Sequence, residues 1–277
     1  MRSLLFNVFF VLTTLLYAIV CVVFSFFPGR KMMMASLRRY TRVMVWGMRV
    51  IAGIKVTVSG HENVPKEGPV IIAPKHQSYG DGFVMFSQFF DLSFVTGDHL
   101  EKFLFLKRIL AKMNAVVIDN CGGEDARERM AKTSKIVREQ GRRIVIYPEG
   151  HLSKVGTQHR YRKGVYHLYV DFKCPVVPAA TNLGQRWNQN DFTKHPGPAA
   201  VEFLEPIMPG LGKEEFMAEL ERRIETRSRE LLDMDNLGAL DPAEIGQVKE
   251  NEVARAKRLT REAEAKAVEK SDKGETA

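Results

Sequence analysis

The sequence predicts an α/β domain with a mostly parallel central sheet flanked by helices, preceded by an N-terminal membrane-embedded helix. Short runs of β-branched residues alternate with helical patterns along the middle of the chain, which is the order typical of α/β layers. The N-terminal segment is almost free of charge. With 277 residues, of which 45% are hydrophobic and 27% charged, the chain suits one such domain with appendages and excludes a disordered polymer.

Residues 1–29 are predicted to form a membrane anchor helix. No charged side chain occurs from Ser3 to Gly29, and a helix of this length exceeds the hydrocarbon core of a bilayer, which is about 30 Å thick. A buried core helix and a cleaved signal peptide are alternatives, although Ser25 to Pro28 has no small-x-small cleavage pattern. The sequence leaves open whether the helix crosses the bilayer or enters one leaflet.

Basic residues follow this helix closely. Arg2 is the only charged residue before the apolar segment, whereas the residues after it include Arg30, Lys31, Arg38, Arg39, Arg42 and Arg49. Because basic flanks stay in the cytoplasm, we expect the remaining chain on the cytoplasmic side of a membrane, the bacterial inner membrane. The net charge of +8 implies an anionic partner, and the apolar N-terminus makes lipid that partner and not nucleic acid.

The main domain is predicted to cover residues 30–238. Its first part, residues 30–54, is predicted to be an amphipathic helix. Arg38, Arg42 and Arg49 share one face of the helical wheel. The apolar face carries Met33, Leu37, Tyr40, Met44, Met48 and Ile51. Such a helix either lies among lipid headgroups or packs on the domain core, and the pattern favours neither alternative.

The rest of the domain is predicted as alternating strands and helices, followed by a charged flexible tail over residues 239–277. The predicted strands are Ile54–Ser59, Val70–Ala73, Leu92–Thr96, Ala115–Asp119, Arg143–Tyr147, Val176–Ala180 and Ala200–Leu204. The long helices are Glu124–Gln140 and Lys213–Leu232. Three cysteines without paired spacing, Cys21, Cys121 and Cys174, argue against disulfides and zinc. The other histidines lack metal-ligand spacing, and no metal or cofactor is expected.

Two loops that follow predicted strands carry the candidate chemistry, since active residues of open α/β sheets collect beyond the carboxyl ends of strands. The first loop holds His76 and, at the start of the next helix, Asp81. A carboxylate bonded to one imidazole nitrogen makes the other nitrogen a better base, and without a protein nucleophile the substrate must supply the hydroxyl. The second loop reads Pro-Glu-Gly at 148–150 and continues with His151. Taken alone, the first loop is more typical of a structural histidine, and the second is also consistent with a simple tight turn.

Taken together, these blocks resemble the glycerolipid acyltransferases typified by 1-acyl-sn-glycerol-3-phosphate (lysophosphatidate) acyltransferase. The matching blocks are H-x4-D at 76–81, Tyr-Pro-Glu-Gly at 147–150, Tyr-Arg-Lys-Gly at 161–164 and Val-Val-Pro-Ala at 176–179. The resemblance implies that His76 deprotonates a lysolipid hydroxyl, which attacks the thioester of acyl-CoA or acyl carrier protein, while Asp81 orients His76. It also implies that Glu149 and Gly150 bind the acceptor and that Lys163 and Gly164 line the site.

Two departures from the family pattern concern the acceptor. Asn120 and Leu152 stand where the family usually has arginines that grip a phosphate, and neither can form a bidentate bond. The basic residues that can compensate are Lys102, Lys107, Arg108, Arg160 and Arg162. Lysophosphatidate is the expected acceptor. The alternatives are another lysolipid, such as a lysophospholipid or lyso-ornithine lipid, and an inactive membrane-bound lipid-binding module.

Overall fold

The structure is a computed structural model that describes residues 1–97, 100, 102, 104–118, 124–189 and 191–249. The helices are α1 (Arg2–Ser25), α2 (Lys31–Gly47), α3 (Gly80–Gln88), α4 (Leu104–Met113), α5 (Glu124–Glu139), α6 (Gly164–Phe172) and α7 (Lys213–Glu230). The strands are β1 (Ile54–Ser59), β2 (Val70–Pro74), β3 (Ser93–Gly97), β4 (Val116–Ile118), β5 (Arg143–Val145), β6 (Gln158–His159), β7 (Val176–Thr181), β8 (Gly197–Phe203) and β9 (Val248–Lys249). Asn120, Cys121 and the predicted tail from residue 250 onward lie outside the described residues.

Seven of the described strands form one sheet in the order β1-β8-β7-β2-β5-β3-β4. All neighbouring pairs are parallel except β7 and β8, so the predicted, mostly parallel sheet is confirmed. Every residue of β2 is buried. Val70 and Ile72 contact the core on one face of the sheet, whereas Ile71 and Ala73 contact the core on the other, because successive strand residues point to opposite faces.

Helices cover both faces of the sheet. On one face Phe6 of α1, Val84 of α3 and Trp187 join a single apolar cluster. On the other face Leu168 of α6 and Leu220 of α7 pack in a second cluster. Burial of both faces explains why the central strands read as continuous apolar runs in the sequence.

The predicted amphipathic helix over residues 30–54 is shorter in the structure. Helix α2 ends at Gly47, a π-helical turn follows over Met48–Ala52, and Ile54 already belongs to β1. Gly53 allows this break because its φ of 76° lies in the left-handed region that favours glycine. Met33, Met44 and Met48 are fully buried, so the methionine face packs inside the protein. The methionine face therefore packs on the domain core and does not lie among lipid headgroups.

Residues 239–249, which the sequence places in the tail, pack on the domain. The Leu240 side chain is buried and lies against Gly156, and the Ala239 N–H donates to the Gln185 carbonyl at 2.9 Å. Strand β9 pairs with β6. Leu240 is the one buried side chain among residues 239–249, and a single leucine next to charged residues gives no periodic pattern from which this packing could be predicted.

Candidate active site

The two candidate loops leave the same edge of the sheet side by side. Strands β2 and β5 are parallel neighbours, with Ile72 opposite Val145, and the Ile146 N–H donates to the Ile72 carbonyl at 3.0 Å. The loop after β2 therefore starts next to the loop after β5. Their backbones are joined directly, because the Ser153 N–H donates to the His76 carbonyl at 2.7 Å. Two motifs far apart in sequence thus form one site.

His76 and Asp81 face each other across the start of α3. The His76 Nδ1 lies 3.1 Å from the Asp81 Oδ2, which also accepts the N–H groups of Gln77 at 2.7 Å and Ser78 at 2.8 Å. Asp81 is buried, whereas the His76 side chain is 21% exposed. A carboxylate partner assigns the proton to Nδ1. The Nε2 nitrogen, which has no partner among the described residues, is then the basic one.

The His76 ring is also held from its flat side. It stacks on the Tyr147 ring with centroids 3.8 Å apart and planes 18° apart. The Tyr147 hydroxyl is buried and has no hydrogen-bond partner among the described residues. Burial, and next the Asp81 carboxylate, raise the Tyr147 pKa well above its ordinary value, so Tyr147 stays a neutral phenol.

A buried charge network lies directly below the His76 loop. The Lys75 Nζ donates to the Glu149 Oε1 at 2.9 Å and to both carboxylate oxygens of Glu225 at 2.7 and 2.9 Å. The second oxygen of Glu149 accepts the His76 backbone N–H at 2.8 Å, and the Tyr161 hydroxyl donates to Glu225 at 2.9 Å. Lys75 and Glu149 are only 1% and 0% exposed, so these charges compensate one another away from water.

Burial and pairing oppose each other in this network. Burial lowers the pKa of Lys75, but the Glu149 and Glu225 carboxylates outweigh it and hold that pKa above the ordinary value. Burial raises the pKa of Glu149, and Lys75 brings it below the ordinary value. The pKa of Glu225 stays raised because burial is the larger effect there. Lys75 and Glu149 thus form the charged pair at the centre of the network.

The Pro-Glu-Gly turn contacts a second basic side chain. Gly150 has a φ of +70°, and a Cβ there would lie 2.5 Å from the Cδ and Nε of Arg162. Only glycine therefore lets Arg162 lie across the turn. The backbone N–H of Arg162 donates to the Pro148 carbonyl at 2.7 Å. The guanidinium of Arg162 is half-buried and forms no ion pair with any residue that the structure describes.

Two histidines pack next to this turn. The His151 ring, whose Nδ1 lies 2.9 Å from the Glu149 carbonyl, meets the His159 ring edge-on at 4.5 Å between centroids. Burial lowers the pKa of both imidazoles, and that of His159 falls to about 4. Both rings are therefore neutral at pH 7 and add no charge to the site.

The remaining predicted site residues form no hydrogen bond or ion pair with His76 among the residues that the structure describes. Lys163 and Gly164 begin α6, where the Lys163 side chain is exposed and Gly164 lies near Ile146. Lys102 and Arg160 are exposed. Among the described residues, none of these basic side chains contacts His76. Arg108 is engaged elsewhere, since its guanidinium binds Ser25 and covers the Phe26 ring.

Sequence reasoning missed Lys75, Glu225 and the stacking role of Tyr147. Lys75 directly precedes His76 and continues an apolar strand, which is an unusual place for a charge and is the only signal available. Glu225 gives no signal, because α7 is rich in Glu and Arg and its other carboxylates are on the surface. The structure alone shows that this one carboxylate is buried.

The sequence of this chain is similar to those of known acyltransferases. The sequence profile of the family described as Acyltransferase matches residues 55–182. The 1-acyl-sn-glycerol-3-phosphate acyltransferase of Pseudomonas aeruginosa is 33% identical over 199 residues, which cover 72% of this chain and 77% of that protein. The enzyme of the same name from Borreliella burgdorferi is 27% identical over 157 residues, which cover 56% of this chain and 59% of that protein.

The fold also has a solved counterpart. The crystal structure of the 1-acyl-sn-glycerophosphate acyltransferase PlsC from Thermotoga maritima matches with a TM-score of 0.69 at 20% identity, covering 83% of this chain and 98% of that one. At this identity the match shows a shared fold only. The 33% identity to the Pseudomonas protein over most of both chains shows that the two sequences are related. The chain is an acyltransferase and belongs to the 1-acyl-sn-glycerol-3-phosphate acyltransferase family.

Proposed function

We propose that this protein transfers a fatty acyl group from acyl-CoA or acyl carrier protein to the free hydroxyl of 1-acylglycerol 3-phosphate, which gives phosphatidic acid. The observation that carries the proposal is the His76–Asp81 pair, 3.1 Å apart, beside the Pro-Glu-Gly turn. The names of the relatives support the choice of acceptor. Phosphatidic acid is a precursor class for membrane phospholipids, so the reaction belongs to phospholipid synthesis.

The proposed reaction needs one base and no protein nucleophile. The Nε2 of His76 takes the proton of the acceptor hydroxyl while that oxygen attacks the thioester carbonyl. The charge of Asp81 stabilises the imidazolium that forms. The tetrahedral intermediate then breaks its carbon–sulfur bond, and the departing sulfur takes the proton from His76. The products are an ester and a free thiol, and His76 and Asp81 return to their starting state.

The acceptor's charged group is proposed to bind at Arg162. This guanidinium lies across Gly150 and has no ion-pair partner in the described part of the chain, so it is available for an anionic headgroup. Leu152 leaves the family's usual arginine position neutral. This replacement favours a second candidate function, acyl transfer to a lysolipid whose headgroup is not a simple phosphate.

A panel of acceptors distinguishes the two candidates. Purified protein in detergent is offered lysophosphatidate, lysophosphatidylcholine and lyso-ornithine lipid, each with labelled acyl-CoA and acyl carrier protein, and products are separated by thin-layer chromatography. We expect phosphatidic acid as the main product, and Arg162→Ala to raise the KM for lysophosphatidate about tenfold or more. Arg222→Ala, which removes an exposed arginine on α7, is the matched control. Failure to acylate lysophosphatidate while another lysolipid reacts would establish the second candidate.

Membrane attachment is proposed to occur through one leaflet. Helix α1 is long and apolar enough to cross a membrane, with a mean hydropathy of 2.6. Both of its ends nevertheless contact the same domain: Asn7 donates to the Phe192 carbonyl near one end, and Arg108 donates to Ser25 at the other. A spanning helix has its ends on opposite sides of the bilayer. The outer face of α1, which includes exposed Leu12 and Leu16, is therefore proposed to enter the cytoplasmic leaflet.

A further inference from the structure

The buried charge network links the His76 loop to a helix that carries none of the proposed catalytic groups. We infer that Lys75 and Glu225 are positioning residues, which fix the loop on α7 so that the imidazole stays where the acceptor hydroxyl meets the thioester. The inference rests on the proposed function, because it assigns these residues to the same acyl transfer.

Lys75 connects the central sheet, the loop that carries Glu149, and helix α7. Its backbone N–H donates to the Ala179 carbonyl of β7 at 2.9 Å, which extends the sheet to the residue just before His76. Its side chain leaves the sheet, and its three N–H donors are all used, by one oxygen of Glu149 and both oxygens of Glu225. The loop is thus attached to the sheet by its backbone and to α7 by its side chain.

Glu149 passes this constraint to His76. One carboxylate oxygen accepts from Lys75 and the other from the His76 backbone N–H at 2.8 Å. The His76 carbonyl accepts from the Ser153 N–H and hydroxyl at 2.7 and 2.9 Å. Both backbone polar groups of His76 are therefore held by the neighbouring loop. Any shift of Glu149 moves the backbone of His76 and hence its imidazole.

The same geometry gives Glu149 a role different from the one that the family resemblance implies. Its side chain is 0% exposed and both of its oxygens are occupied within the protein. A group in that state orients His76 and does not reach a lipid headgroup. The acceptor-binding charge then falls to Arg162 on the other side of the turn.

The free energy of folding does not by itself account for a buried charge network at this position. Removing charges from water carries a desolvation penalty, and apolar residues of similar volume frequently stabilise a core as well as a buried ion pair does. An ion pair with five hydrogen bonds differs from apolar packing because its hydrogen bonds are directional. They hold each partner within a narrow range of positions. A 1 Å displacement of a reacting group is enough to slow a reaction about a hundredfold.

The decisive variant is Glu225→Gln, which keeps the size of the side chain and replaces one of the two oxygens that accept from Lys75 by an NH2 group, which cannot accept. We expect kcat to fall about 10- to 100-fold while KM for lysophosphatidate changes less than about threefold, measured per folded enzyme and well below the unfolding temperature. Glu219→Gln is the matched control, since Glu219 lies on the same helix and pairs with Arg222 and Arg223 at the surface. It should leave both constants unchanged.

Tyr161→Phe provides a milder second variant in case Glu225→Gln does not fold. It removes one hydrogen bond to Glu225 and keeps the ring, and we expect kcat to fall about three- to tenfold with an unchanged KM. A kcat within twofold of the parent value in the folded variants overturns the inference, even if their unfolding temperature is lower. Absence of acyl transfer in the parent protein overturns the proposed function instead, so the two failures are distinct.

Discussion

The imidazole of His76 lies flat on the ring of Tyr147, with centroids 3.8 Å apart, while its edge meets Asp81. One contact fixes the plane of the imidazole and the other fixes its rotation within that plane. The Tyr147 hydroxyl takes part in neither contact and has no partner in the described part of the structure. We therefore expect the ring of Tyr147 to be needed for function and its hydroxyl to be dispensable.

Tyr147→Phe should keep kcat within about twofold of the parent value and leave the free energy of unfolding unchanged or raised by about 1 kcal/mol, since it removes a buried hydroxyl that lacks a partner. Tyr147→Ala, which also removes the ring, should lower kcat at least about tenfold because the imidazole loses its support. Steady-state kinetics and urea unfolding in detergent measure both effects. A large loss of kcat in Tyr147→Phe would show that the hydroxyl is needed.

His76→Ala should abolish acyl transfer and leave folding and vesicle binding unchanged, since the side chain is partly exposed and is held by one hydrogen bond to Asp81 and one ring stack on Tyr147. Asp81→Asn should lower kcat about a hundredfold or more, because the imidazolium loses its neutralising charge. Labelled-acyl transfer, circular dichroism and vesicle sedimentation provide the three measurements. Parental activity in His76→Ala would end its assignment as the base.

Gly150→Ala should destabilise the protein by about 2 kcal/mol or more and raise KM for the acceptor, because Cβ would strain the backbone and displace Arg162. Gly68→Ala separates these causes. Gly68 has a φ of +79°, comparable to the +70° of Gly150, but a Cβ there has nothing within 4 Å. That control should show only the backbone cost, about 1 kcal/mol, with normal kinetics. Equal effects of both substitutions would mean that Arg162 is not displaced.

The stability of the protein should fall on acidification below pH 6.5. Burial lowers the pKa of His159 to about 4 in the folded state, so the unfolded chain binds the extra proton first as the pH falls from about 6.5 to 4. The stability that the neutral imidazole provides is complete above pH 6.5 and is lost through this window, by about 1–3 kcal/mol. Urea unfolding of the parent and His159→Gln at pH 7 and pH 5 checks this. The variant should show a smaller difference between the two pH values, and an equal difference would contradict the assignment.

Replacing Leu12 and Leu16 together by Glu should lower binding to anionic vesicles about tenfold or more, because both side chains are exposed on the outer face of α1. Ile136→Glu, an exposed apolar side chain on α5, is the control and should bind as the parent protein does. Sedimentation with vesicles of phosphatidylglycerol and phosphatidylethanolamine gives the bound fraction. Unchanged binding of the double variant would show that another surface holds the membrane.

The elements that the sequence predicted correctly are those whose pattern has a local cause. The long helix Glu124–Gln140 begins with acidic residues and ends before a glycine, and the structure has α5 at Glu124–Glu139. The predicted helix over residues 30–54 runs too far because Met48–Ala52 continue the helical pattern and only Gly53 interrupts it. Residues 239–249 pack on the domain through Leu240, a contact that depends on a partner remote in sequence.

The amino-acid sequence is enough to predict the alternation of strands and helices, the apolar N-terminal helix and the two loops with His76 and Glu149, because residue periodicity and short motifs are local properties. The three-dimensional arrangement was needed to show that Lys75 joins Glu149 and Glu225, that Tyr147 stacks on the imidazole, and that both ends of α1 contact one domain. These relations depend on how parallel strands and their helices are arranged in space, and groups up to 185 positions apart meet there.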